Sequence, residues 1–88
     1  MKQYSAACDQ NKDPILKVIK PLLLNAKSVL EVGSGTGQHC VYFAKELPHL
    51  TWQASDQSMY LPSVSAWIDD AKLANTPKAL KLNVDLDW

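Results

Sequence analysis

The residues best suited to chemistry lie in one short run, Glu31-Val32-Gly33-Ser34-Gly35-Thr36-Gly37, with Asp56 following nineteen residues after Gly37. All three glycines of the chain fall in that run. Clustered glycines mark places where the backbone takes positive φ or comes close to a ligand or another strand. A phosphate-binding loop of the form GxxxxGK[ST] is excluded, because no Lys-Ser or Lys-Thr follows the glycines. A dinucleotide fingerprint, GxGxxG or GxGxxA, is not met either, because its sixth position is Gln38. What remains is a glycine turn preceded by a carboxylate, E-x-G-x-G-x-G, or a turn that is purely structural.

That acid-led pattern is the first motif of S-adenosylmethionine-dependent methyltransferases. Their cofactor has no pyrophosphate to rest on helix amides and carries an ammonium and a sulfonium instead. A carboxylate at the mouth of the strand is complementary to those charges. Asp56 stands at the spacing where an adenosine ribose presents its two hydroxyls, and a carboxylate offers acceptors to both. Its structural alternative is a turn cap. Asn83-Val84 closes a later apolar run, where the Asn amide could meet adenine N6 and N1 or simply serve the fold.

The remaining reactive residue types make no second site. Cys8 and Cys40 lack CxxC or Cys/His ligand spacing and read as free thiols. His39 and His49 are ten residues apart with no acidic or thiol partner at metal-ligand spacing, so no metal site is expected. His39, in the first turn of a helix behind the glycine loop, is expected to orient or cap that turn. Tyr42, Trp52 and Trp67 are expected to pack rather than to form a substrate platform.

The elements that must position these residues follow from periodicity. Asp13-Pro14 predicts a helix start, with Asp as N-cap and Pro at the first position. Ile15, Val18, Ile19 and Leu22 give its apolar face, and Pro21 should kink or end it early. Ser28–Val32 reads as a strand with apolar residues on both faces, as in a parallel sheet covered on both sides. Cys40, Phe43, Ala44 and Leu47 form a helical stripe stopped by Pro48. Leu50–Ser55 is a second strand closed by Asp56, a further helix starts near Pro62, and Ala79–Val84 alternates like an edge strand. The order predicts an α/β fold: a βαβαβ unit preceded by a helix, with strand order 3-2-1.

Composition narrows the classes. Nine Lys, no Arg and nine acidic residues give zero formal charge, which argues against a nucleic-acid surface. No apolar run reaches the ~18 residues that span a bilayer. The start, Met1-Lys2-Gln3-Tyr4-Ser5, is too polar for a signal peptide, so the expected location is cytoplasmic. With 47% hydrophobic and 20% charged residues the chain is globular material. At 88 residues it would bury about 64% of its surface, enough for one small core and one domain, 1–88.

The run Val29–His39, continuing through Val41-Tyr42-Phe43-Ala44, Leu47-Pro48-His49-Leu50, Trp52-Gln53 and Ser55-Asp56, resembles the methyltransferase-like protein 26 family. Ser5–Leu16 resembles the amino-terminal signature of the same class I family. The similarity covers essentially all of the chain. The resemblance implies a Rossmann-like sheet of seven strands in the order 3-2-1-4-5-7-6, of which this chain is the N-terminal half, incomplete at its carboxyl end. It implies S-adenosyl-L-methionine as cofactor, held by Glu31, Gly33, Ser34, Gly35, Gly37, Asp56, Gln57, Asn83 and Val84. Family members often carry a basic residue at position 10 and Asp at position 83, where this chain has Gln10 and Asn83, and they run to about twice its length.

The function expected is therefore the cofactor-binding part of a methyltransferase with a small-molecule acceptor. Groups that handle the acceptor are expected after a fourth strand, so no catalytic residue is assigned. The alternatives are a non-catalytic nucleoside-cofactor or interaction module and, behind it, an NAD-binding oxidoreductase. A first strand lacking its neighbour would leave an edge through which the chain self-associates.

Overall fold

The computed structural model describes residues 2–82 of the chain. Asn83 and Val84, expected beside adenine, lie outside the described residues. The element order is α1 (Ala6–Leu22), β1 (Ser28–Val32), α2 (Gln38–Glu46), β2 (Thr51–Asp56), α3 (Leu61–Ala71) and β3 (Leu80–Lys81). The strands form one parallel sheet in the order β1-β2-β3. Ser28 pairs with Thr51 and Val32 with Ser55, while Ser55 and Asp56 pair onward with Leu80 and Lys81. The molecule is thus α/β, with parallel strands joined through helices.

One core holds it together. The α2 stripe of Cys40, Phe43, Ala44 and Leu47 is buried in a single cluster with Leu50, Trp52 and Ala54 around β2 and Val64 and Ile68 of α3. Phe43 and Trp52 meet with ring centroids 5.5 Å apart. Leu47 closes α2 by donating its backbone N–H to Phe43 O, and Pro48 follows. After α3, Lys72 takes a left-handed conformation, φ 53°, and turns the chain back. Asn75 then donates its side-chain amide to Ala44 O and Leu50 O while its carbonyl accepts from Trp52 N. That turn sets the approach to β3.

Two elements differ from the sequence-based expectation. Helix α1 begins at Ala6, not at Asp13, with Ser5 as N-cap accepting from Cys8 N at 3.3 Å. Pro14 and Pro21 both lie inside the helix. Contacts to α2 hold the early turns in place: His39 Nε2 lies 3.2 Å from Cys8 O, and the Tyr42 hydroxyl donates to Asp13. Strand β1 is also not covered on both sides. Leu30 and Val32 are 51% and 45% exposed, and Leu80 of β3 is 52% exposed. The single core takes the side chains of the opposite face, Val29, Trp52 and Ala54, so this face stays open among the described residues.

Candidate ligand-binding site

The connection from β1 to α2 is a turn whose three glycines all have positive φ: 75° at Gly33, 62° at Gly35 and 98° at Gly37. Their surroundings separate them. A Cβ on Gly37 would stand 2.9 Å from Val64 Cα and 3.1 Å from Trp67 Cβ, so this glycine lets the start of α2 press against α3. Among the described residues, a Cβ on Gly33 or Gly35 would meet nothing within 4 Å. Those two leave backbone facing open space, where a ligand could approach.

The turn is stitched to the end of β2. The N–H groups of Gly33 and Ser34 both donate to Ser55 O, at 2.9 Å each. Ser34 Oγ accepts from Ser55 N at 3.1 Å, and Ser55 Oγ donates to Glu31 O at 2.6 Å. Asp56 completes the join: Oδ2 accepts from Gly35 N at 2.8 Å and Oδ1 from Gln57 N at 2.7 Å. Its carboxylate therefore tethers the glycine loop as well as capping the following turn. A carboxylate has about four lone-pair positions, so both oxygens keep an acceptor site.

Glu31 sits on the helix-facing side of β1, in register with buried Ala54, and its Oε1 accepts from Trp52 Nε1 at 3.3 Å. The structure thus gathers Glu31, Gly33, Ser34, Gly35, Asp56 and Gln57 at the carboxyl ends of adjacent parallel strands, with Gly37 supporting them from α2. Ligands bind at such ends in open α/β sheets.

Other candidates lie elsewhere. His39 does not cap α2, whose N-cap is Gly37 with no side-chain bond. Instead it ties α2 to α1 through Cys8 O and stacks on Phe43 at 5.1 Å. Trp52 is buried, as expected. Trp67 and Tyr42 line a cavity of about 390 Å³ on the outer face of α2, between α1 and α3, which Gln38 lines as well. Burial, reinforced by the Glu31 charge, pushes the Cys40 thiol from its ordinary 9.0 up to about 12. The bond to Asp13 is the first cause that raises the Tyr42 phenol from 10.0 to about 12.

In the sequence Gln38 has no role beyond breaking the dinucleotide fingerprint and closing the glycine motif, yet its side chain is buried and bonded both ways to Ser5. Its Oε1 accepts from Ser5 N and its Nε2 donates to Ser5 O at 3.2 Å. The partner is thirty-three residues away, beyond the reach of any local spacing. The one available signal was a polar side chain immediately after the glycines, at the start of an apolar helix.

Fold and site together define an α/β protein whose polar loop groups converge at the carboxyl ends of parallel strands. By sequence the chain belongs to the DUF938 family, described as proteins of unknown function, whose family model matches residues 2–88. No solved structure matches it.

Proposed function

We propose that this chain is the cofactor-binding part of an S-adenosylmethionine-dependent methyltransferase acting on a small molecule, as its resemblance to the methyltransferase-like protein 26 family implies. One observation carries the proposal: Asp56 Oδ2 accepts from Gly35 N at 2.8 Å beside the open backbone of Gly33 and Gly35, at adjacent strand ends, with Glu31 one residue before the end of β1. Glu31 offers a carboxylate to an ammonium, the two glycines admit a close approach, and Asp56 keeps acceptors for ribose hydroxyls. The bound cofactor supplies a methyl group already activated on a sulfonium. The chain's own residues bind and orient it, and they aid reaction through proximity. In this reading the sheet is the 3-2-1 part of a Rossmann-like class I sheet. A cytoplasmic location agrees with free Cys8 and Cys40.

Calorimetric titration of the full-length protein with S-adenosylhomocysteine tests the proposal. Binding is expected, and Asp56→Ala should weaken it about ten- to hundredfold through lost hydrogen bonds. A flat titration at millimolar ligand rejects the reading, and tight NAD binding points to an oxidoreductase instead. A second reading, a non-catalytic interaction module, is favoured by the open sheet face at Leu30, Val32 and Leu80. Cofactor binding without methyl transfer to any acceptor would select it.

A further inference from the structure

Two hydrogen-bonded routes run from the first residues of the chain to Thr36, the peptide between Gly35 and Gly37. In the first, Gln38 pairs both ways with Ser5, and the same Oε1 accepts from Thr36 Oγ1 at 3.1 Å. Thr36 Oγ1 in turn accepts from Gln38 N at 3.3 Å. In the second, Gln3 N donates to Ser63 Oγ at 2.9 Å, and Ser63 Oγ donates to Thr36 O at 2.8 Å. Trp67 Nε1 holds the same segment by donating to Gln3 O at 2.6 Å. Gln38 and Ser63 are both buried, so losing either partner leaves an unsatisfied polar group that water cannot easily relieve.

Residues Gln3–Ser5 therefore form a strap across the starts of α2 and α3. The glycine loop is gripped on one side by Asp56, through Gly35 N, and on the other by this strap, through Thr36. We propose that Gln38 is a positioning residue that clamps the glycine loop to the amino-terminal strap, so that ligand affinity at the loop depends on residues Gln3–Ser5. Glutamine suits the task because one planar amide supplies both a donor and an acceptor, matching the N–H and C=O of Ser5 as a neighbouring strand would. The affinity part rests on the proposed S-adenosylmethionine reading; the clamping part does not.

The test compares full-length wild type, Gln38→Ala, Gln38→Glu and Ser63→Ala by residue-resolved amide hydrogen exchange without ligand, then by S-adenosylhomocysteine calorimetry. Gln38→Ala should lower protection at Gly37 and Gln38 about tenfold or more while β2 amides keep theirs, with Ser63→Ala doing the same more weakly. Gln38→Glu supplies the readout that general destabilisation would not give. Its protonated carboxyl again accepts from Ser5 N and donates to Ser5 O, whereas the carboxylate faces the Ser5 carbonyl. Loop protection in this variant should therefore approach wild type near about pH 5 and fall by about pH 8, with wild type unchanged across that range. Affinity in Gln38→Ala should drop about tenfold. Unchanged loop protection in both Gln38→Ala and Ser63→Ala overturns the clamp, as does protection lost equally throughout β2. A wild type that binds no S-adenosylhomocysteine while Gln38→Ala still frees the loop overturns the functional reading and leaves the clamp standing.

Discussion

Gly33, Gly35 and Gly37 look alike in the sequence but meet different surroundings, and substitution should separate them. Gly37→Ala combines a left-handed backbone with a contact 2.9 Å from Val64 Cα, so it should lower stability by about 2–4 kcal/mol in chemical denaturation. Gly33→Ala and Gly35→Ala carry only the backbone strain, about 1–2 kcal/mol, yet they place a methyl group where ligand would approach. They should lose more affinity than stability, and Gly37→Ala the reverse. The cysteines separate in the same way. Cys40, buried and pushed up to about 12, should resist alkylation in the folded protein while half-buried Cys8 reacts, as mass spectrometry of labelled peptides would read. Cys40 and Tyr42 both hold their protons longer when folded than when unfolded, so their contribution to stability is full below about pH 9. It declines as pH rises from there toward 12, because the unfolded state releases its protons first. The urea midpoint should fall above about pH 9, less steeply in Tyr42→Phe.

At the scale of elements, the sequence is most legible where neighbours in the chain are also neighbours in space. Strand β1 falls on Ser28–Val32 as its apolar run predicts, α2 buries the stripe read from its spacing, and α3 begins beside Pro62. The spacing of Asp56 after the glycines puts it at the end of the neighbouring strand, because a strand–turn–helix–strand passage returns the chain to the same edge. It does not announce the bond from Gly35 N to its carboxylate. The start of α1 was not legible. Asp13-Pro14 carries the local signature of a first turn, but the turns before it are held by His39, Tyr42 and Gln38 from another helix. The apolar residues on both faces of β1 mislead for a related reason. Apolar side chains show what a strand can bury, whereas coverage depends on elements elsewhere. Helix α1 gives a direct check. Pro14 sits mid-helix without an N–H to offer, so Pro14→Ala should stabilise the protein by about 1–3 kcal/mol, visible as a higher thermal midpoint.

For the molecule as a whole, the exposed apolar side chains of Leu30, Val32 and Leu80 lie on one sheet face, and β1 has a strand neighbour on one side only among the described residues. Open edges and contiguous apolar faces promote association. The 88-residue chain should therefore sediment as a mixture heavier than 9.8 kDa, and the pair Leu30→Lys with Val32→Lys should shift it toward monomer. A monodisperse wild-type monomer would contradict this. The strap adds an order in time. Sheet and helices are built from segments close in sequence, but Gln3 finds its partners sixty and sixty-four residues away, at Ser63 and Trp67. Closing so long a loop carries its entropic cost before any bond is formed, and on a ribosome Ser63 and Trp67 emerge long after Gln3 has left the tunnel. The bonds of Gln3 are thus among the last to form, and the Ser63 route to Thr36 closes only when α3 is complete, whereas the Gln38 route needs only α1 and α2.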